Sequence, residues 1–252
     1  MEGTTLHGRL TWQLGEVVET RTETTRARSL TLAVPGWLGH RPGQHVDVRL
    51  TADDGYQAER SYSIASPPEE RGKVTITVER LDDGEVSPYL VDELKPGDRL
   101  ELRGPIGGYF VWEAPMGGPL LLVGGGSGIV PLMAMIRHRR AVASIVPTRL
   151  LYSARSQEEV IYRDELDQLT RRDGMLEVIY TLTRRQPPGW TGYRRRIDGE
   201  LLRDVAWPPR DRPRAYICGP TQFVETAASA LVSLGFDPAQ VKTERFGPTG
   251  GG

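Results

Sequence analysis

The apolar residues of this chain change period once, near Pro119, and no other feature narrows the possible folds as far. From Thr11 to about Glu113 they alternate, as with Val74, Ile76 and Val78 in the run from Lys73 to Arg80, and Leu100 and Leu102 in that from Asp98 to Arg103. Period 2 means strands with one buried face. Turn clusters punctuate them at Pro42-Gly43, Asp53-Asp54-Gly55, Asp82-Asp83-Gly84 and Pro96-Gly97, a spacing that predicts an antiparallel barrel or sandwich. Beyond Pro119 the pattern turns to continuous apolar strands, Leu120–Val123 first and Leu150–Ser153 second, with further strands at Leu176–Leu182, Ala215–Cys218 and Val241–Glu244, alternating with stretches of period 3.6. The latter predict helices over Ile129–Arg140, from Ser156 to about Leu169, and after Thr221, where Val224, Ala228 and Leu231 share a face. Ser156-Gln-Glu-Glu159 reads as a capping box and Thr221 as a cap. Strand and helix alternating in this way predict a parallel, doubly wound α/β sheet. The boundary is expected in the Pro/Gly-rich segment Ala114–Gly118, giving domains 1–114 and 115–252, two ordinary domains in 252 residues.

Composition removes several classes of function. A formal net charge of −1 offers no bulk attraction for nucleic acid. The arginine-rich stretch from Arg184 to Arg196 is the one basic segment, and nothing elsewhere extends it. A single cysteine, Cys218, permits neither an internal disulfide nor a four-cysteine iron–sulfur cluster. The histidines at 7, 40, 45 and 138 lack ligand spacing, so no metal site is expected. Ala114 to Ile136 carries no charge over a bilayer-spanning length, but its glycines and prolines suit loop, strand, turn and helix instead of a membrane helix. Met1 to Leu10 has no signal-peptide pattern, and a cytoplasmic location is the expectation.

In a doubly wound sheet, ligands lie beyond the carboxyl ends of the strands. The first such loop is Gly124-Gly-Gly-Ser-Gly-Ile-Val-Pro131, whose small residues would let a pyrophosphate approach the next helix N-terminus; a plain tight turn uses the same residues. It lacks the lysine of a Walker A loop. In the barrel half, Arg60-Ser-Tyr62-Ser63 offers a cation for phosphate, a ring for stacking and a hydroxyl, though an ordinary half-exposed strand also alternates so. Cys218-Gly-Pro220 ends a strand, where a cysteine is a small hydrophobe or borders a ligand. Thr183-Arg184-Arg185 ends another and is expected near it, as solvated surface or a phosphate site.

Arg60–Ser63, Gly84-Glu-Val86-Ser87, Gly104–Phe110, Gly124–Pro131, Cys218–Pro220 and Glu244-Arg-Phe246-Gly-Pro248, in that order and over nearly the whole chain, resemble the ferredoxin–NADP reductase superfamily of flavoprotein electron transferases. The resemblance implies that Arg60 contacts the FAD pyrophosphate, Tyr62 packs on the flavin and Ser63 lies near its reactive nitrogen. It implies that Gly84, Val86 and Ser87 hold the FAD phosphates by amides and hydroxyl. Gly125, Gly126, Ser127 and Gly128 would cradle the NAD(P) pyrophosphate, and Cys218 would flank the nicotinamide. Glu244 and Phe246 match the family's carboxyl-terminal acid and aromatic. Two residues depart from the pattern: Val130 stands where a small or polar residue is common, and Phe246 is followed by further chain. The ending is similar to that of flavohaemoglobin reductase modules.

The function so implied is an FAD-dependent NAD(P)H oxidoreductase, with Ser63, Cys218, Glu244 and Phe246 around the reaction. Lacking cluster ligands and a haem domain, it would reduce a separate carrier, a ferredoxin or an oxygenase component. Reduction of free flavin or another diffusible acceptor, or a non-catalytic flavin- and nucleotide-binding subunit of a redox complex, are the alternatives. Thr183 and Arg184 lead to an expected preference for NADPH over NADH, and Arg155 is the fallback partner for the coenzyme's pyrophosphate or ribose. Phe246 is expected either to gate the flavin face or to anchor the chain's end.

Overall fold

The computed structural model describes residues 10–247. Its first half is an antiparallel sheet of β1 (Trp12–Thr22), β2 (Ala27–Ala33), β3 (His45–Thr51), β4 (Gln57–Ser63), β5 (Lys73–Glu79) and β6 (Arg99–Ile106), in the order β4-β3-β6-β1-β2-β5. A bridge between Ile64 and Ile76 brings the sheet's two edges together into a barrel. Alternate residues point to one face of a strand, and Val17, Leu30, Val46, Val48, Ile76 and Leu102 meet inside as a continuous apolar core.

The second half is a parallel sheet of β7 (Leu120–Gly125), β8 (Thr148–Ala154), β9 (Leu176–Leu182), β10 (Arg214–Pro220) and β11 (Val241–Phe246), ordered β11-β10-β7-β8-β9. Its central strand β7 is buried along its whole length and covered on both faces. Leu120 and Leu122 pack with α1 (Ile129–Ala141) and α2 (Arg163–Arg172). Leu121 and Val123 pack with α3 (Gly199–Val205) and α4 (Thr221–Ser233). Strand order reverses between β7 and β10, and the crevice of a doubly wound sheet opens at that point.

Helix α1 is buried nearly all round, His138 and Arg139 included, because it lies between the parallel sheet and the barrel, sharing a core with Phe110 and Ala65. That position explains the uncharged run before Arg137. Among the described residues no helix is long and apolar enough to cross a membrane. Arg139 survives burial by donating to the Val146 carbonyl at 2.6 Å and pairing with Asp173.

Local expectations fail at four places. Ser156 caps nothing: Gln157–Glu159 is a short 3-10 turn, Val160 is extended, and α2 starts only at Arg163. Val160, Ile161 and Tyr162 are all buried, and this apolar run draws the chain out of helix and into the domain interface. Thr221 is the first residue of α4 and not its cap, since β10 passes straight into the helix through Pro220. Helix α3 escapes the periodicity reading because it is only 7 residues long; its signal is Asp198, which accepts the Leu201 N–H at 2.9 Å, ahead of Leu201, Leu202 and Val205. Thr183 does not lie near Cys218, because β9 is the far edge of the sheet and the partners of Cys218 are Gly124 and Glu244.

Candidate functional site

Strand β7 runs through a 3-10 turn, Gly126–Gly128, directly into α1. The turn packs against the end of β10 so tightly that a Cβ on Gly128 would stand 2.1 Å from the Cys218 carbonyl oxygen. Gly126 has φ +56°, and a Cβ on Gly125 would press on the Phe223 ring at 3.1 Å. The glycines are therefore required by close approach and turn geometry, which leaves free backbone amides at a helix N-terminus suited to an anionic group.

Above this turn lies a cleft of about 720 Å³ at the carboxyl ends of β7, β8 and β9. Gly125, Gly126, Ser127, Arg155, Thr183 and Phe246 line it. Arg184 does not; it is exposed alongside, its N–H donating to the Arg155 carbonyl at 2.9 Å. Arg155 pairs with Glu159 at 2.6 Å, and Arg185 with Glu158 at 3.1 Å. Arg26, Arg80 and Asp82, from the barrel, form the opposite wall.

A second cleft, of about 620 Å³, lies between the barrel and the same turn and brings together Arg60, Tyr62, Ser63, Gly84, Val86 and Ser87. Tyr62 is held against the barrel core, and burial pushes its hydroxyl up to about 12. Ser87 Oγ accepts the Leu81 N–H at 3.0 Å and so braces the Gly84–Ser87 turn, whose backbone is bare because a Cβ on Gly84 would meet that hydroxyl at 2.8 Å. At the mouth, Arg60 pairs with Glu85 at 2.8 Å, and Tyr56 donates to the same carboxylate at 3.0 Å. Buried Val130 is part of the wall. The two clefts meet at Glu79, Leu81, Ser127, Pro220 and Phe246. Thr77 and Glu79 of β5 were not singled out from sequence, though the alternation that puts Val74, Ile76 and Val78 in the core turns Thr75, Thr77 and Glu79 the other way.

Behind the junction, Cys218 is 1% exposed and lines neither cleft. Burial, and then the neighbouring Glu244 carboxylate, raise its thiol, so it stays protonated and is no nucleophile. Glu244 has one carboxyl oxygen buried without a partner, and burial lifts the group to about 7. A raised carboxyl favours the folded state while protonated: its contribution is full below about pH 4.5 and is lost as pH rises through about 7. We expect the ligand-free protein to lose on the order of 3 kcal/mol from this group between about pH 5 and pH 8. Glu244→Gln should flatten that dependence and melt higher than the wild type at alkaline pH. A variant with the wild-type melting profile across the range would contradict it.

Phe246 is 37% exposed at the end of β11, and Pro248 falls outside the described residues. Among the described residues no group of three His, Cys, Asp or Glu could hold a metal ion; His7 lies outside them. The second cleft, with Tyr62, Val86 and Val130 in its wall, an arginine at its mouth and bare amides in its turn, fits a planar ring carrying a phosphate tail. The glycine turn fits a second phosphate-bearing ligand.

Residues 15–111 match the oxidoreductase FAD-binding domain family and residues 122–229 the oxidoreductase NAD-binding domain family. Ferredoxin–NADP reductase B of Sorangium cellulosum is 34% identical over 209 residues, 81% of this chain and 84% of that protein. The chain belongs to the ferredoxin–NADP reductase superfamily. Within this superfamily it is also 32% identical to the glycine betaine monooxygenase reductase subunit of Chromohalobacter salexigens, over 83% of this chain and 56% of that relative, so it spans little more than half of that protein's length. Among solved structures, the FAD/NAD-binding domain of nitric oxide dioxygenase from Vibrio cholerae superposes with a TM-score of 0.84 at 25% identity, covering 94% of this chain and 99% of that one. The fold shared with these reductases is the barrel followed by the five-stranded parallel sheet.

Proposed function

We propose that this superfamily member is an FAD-dependent NAD(P)H oxidoreductase that passes electrons to a separate carrier, a ferredoxin or an oxygenase component. Residues 1–114 would hold FAD and 115–252 the coenzyme. The observation that carries this reading is the meeting of the two clefts at Ser127, Pro220 and Phe246, which gives a flavin and a nicotinamide one shared edge. Bound FAD supplies the exchange between a two-electron donor and one-electron acceptors. The chain's own residues bind and orient. Arg60 and the Gly84–Ser87 turn would take the FAD phosphates, Tyr62 and Ser63 the flavin, and the Gly125–Gly128 amides the coenzyme pyrophosphate. Cys218 backs the glycine turn through its carbonyl, and Glu244, titrating near neutrality, can hold a proton close to the junction. The names of the Chromohalobacter and Sorangium relatives, a monooxygenase reductase subunit and a ferredoxin reductase, support an external protein acceptor. A single buried thiol suits the reducing cytoplasm, where we assign it.

NADPH is the favoured coenzyme in this reading. Thr183 and Arg155 would receive the 2′-phosphate, with Arg184 reaching over from the adjoining loop. A bidentate arginine suits that dianion, and NADH would leave it without its partner. Comparing kcat/KM for the two coenzymes tests this. NADPH should be preferred, and Arg155→Ala and Arg184→Ala should each lower the preference by about tenfold, one charge-assisted contact. Equal values in the wild type would contradict it.

Phe246 would cover the flavin face that nicotinamide must reach. Being partly exposed, it acts little as an anchor. Phe246→Ala should change stability by less than about 0.5 kcal/mol, alter the flavin spectrum and tighten oxidised-coenzyme binding. A loss of about 3 to 5 kcal/mol with an unaltered spectrum would make it an anchor instead.

A further inference from the structure

Strand β5 is buried on both faces at its middle, around Thr77. Val74, Ile76 and Val78 fill the barrel, while Thr77, pointing the other way, is 5% exposed. What covers it comes from the parallel-sheet half: the Tyr162 hydroxyl donates to Thr77 Oγ1. From there a chain of buried groups runs along the outer face of the barrel, Ser29 of β2 being the register partner of Thr77. Thr77 Oγ1 and Ser29 Oγ are 2.8 Å apart, and Ser29 Oγ donates to Glu23 Oε1 at 2.7 Å. The carboxylate end fixes the direction of every proton. Glu23 accepts from Ser29, whose oxygen must then accept from Thr77, whose oxygen accepts from Tyr162. Glu23 itself has a side chain only 3% exposed, with Arg21 Nε 3.7 Å away.

Tyr162 is held firmly on its own side as well. Its ring lies under the Arg137 guanidinium, 4.8 Å from the ring centre. Arg137 in turn pairs with Glu165 through both nitrogens, at 2.9 and 2.6 Å, and donates to the barrel's Ala65 carbonyl at 2.8 Å. The backbone of Tyr162 is left-handed, φ 60° and ψ 22°, at the entry to α2. Glycine or asparagine adopts that conformation more readily than a bulky residue. The position therefore keeps a tyrosine against local backbone preference, and its buried side chain is the compensation.

The Tyr162–Thr77 contact joins segments that line different clefts. Thr77 lines the cleft of Arg60 and Tyr62, whereas Ile161, the residue before Tyr162, and Glu159 line the cleft of the glycine turn. We propose that Tyr162 is a positioning residue for electron transfer: through Thr77, Ser29 and Glu23 its hydroxyl fixes the wall of the coenzyme cleft against the wall of the flavin cleft, and so sets the spacing of the two ligands. This rests on the reading that FAD and coenzyme occupy those clefts. Tyr162 lines neither cleft and acts through Thr77. Misplacement of reacting groups by about 1 Å costs on the order of a hundredfold in rate, so a smaller slackening is still measurable.

Tyr162→Phe tests it, because the ring stays under Arg137, the backbone is unchanged and one hydroxyl is lost. FAD content and coenzyme KM should stay within about twofold of wild type, while single-turnover flavin reduction by saturating NADPH falls about tenfold. The visible band of the bound flavin, which adjoins Thr77, should shift. Thr77→Val should give the same loss, and the double variant should lose no more than either single one, as groups acting in series require. Ser29→Ala, which leaves the Tyr162–Thr77 contact and cuts the link to Glu23, provides a third variant with a smaller loss. A flavin-replete Tyr162→Phe protein that reduces at the wild-type rate with a wild-type spectrum, or additive losses in the double variant, would overturn the positioning role. Absence of FAD from the wild-type protein would instead overturn the cofactor reading, and would be seen before any variant is made.

Discussion

Gly128→Ala is expected to abolish coenzyme use almost completely. The new Cβ would lie 2.1 Å from the Cys218 carbonyl oxygen, 2.4 Å from its carbon and 2.8 Å from the Gly219 nitrogen. All three are backbone atoms of the inner strand β10, so no side chain can turn aside. Either the glycine turn lifts away from β10 or β10 shifts against β7, and both displace the amides offered to the pyrophosphate. The overpacking should cost about 1 to 3 kcal/mol of stability. A displacement of about 1 Å at the reacting groups should lower kcat/KM for NADPH by a hundredfold or more. Gly126→Ala is the control. It carries the positive φ, but the nearest atom to its Cβ would be Glu79 Oε2 at 3.9 Å. Only the left-handed conformation is penalised there, by about 1 kcal/mol. Thermal melting and coenzyme binding of the two variants decide the matter: equal, mild effects would show that the Gly128 contact does not shape the site.

Arg60→Ala is expected to weaken FAD binding by about a hundredfold, the upper end of what one lost contact would give. A charge-assisted hydrogen bond contributes about 1.5 to 3 kcal/mol. Arg60 also holds the Glu85 carboxylate at 2.8 Å, so removing the guanidinium leaves that negative charge beside the incoming diphosphate. Tyr56 remains as a donor to Glu85, at 3.0 Å, but a hydroxyl does not neutralise it. The Arg60→Ala, Glu85→Ala double variant should therefore recover part of the loss. FAD titration of the apoprotein measures both; a double variant as weak as the single one would remove Glu85 from the explanation.

The change of hydrophobic period at Pro119 carried most of the architecture, because strands with one buried face and strands with two leave different patterns. Strand β7 (Leu120–Gly125), buried along its whole length, follows the apolar run Leu120–Val123 for that reason. The reading broke where tertiary contacts overrule local signals. Ser156 has the sequence of a capping box, yet Val160, Ile161 and Tyr162 gain more from burial between the domains than from helix. Cleft residues that occur in motifs, such as Arg60, Ser63 and Ser127, were legible because their residue types serve phosphate and ring contacts. Thr77 was not. Its part in the interface depends on Tyr162, which lies 85 positions along the chain, and no local pattern joins them. Arg184 stands out by its type and its place after a strand, but side-chain direction there depends on the loop, and it is Arg155 that lines the cleft, with Arg184 exposed alongside.

Anaerobic addition of NADPH, and separately of NADH, to the purified protein, followed by visible absorbance, tests the central claim most directly. The expected result is a yellow protein with one releasable FAD per chain whose flavin band bleaches with either coenzyme, faster with NADPH. A protein that carries FMN or no flavin, or an FAD band that neither coenzyme bleaches, would contradict it.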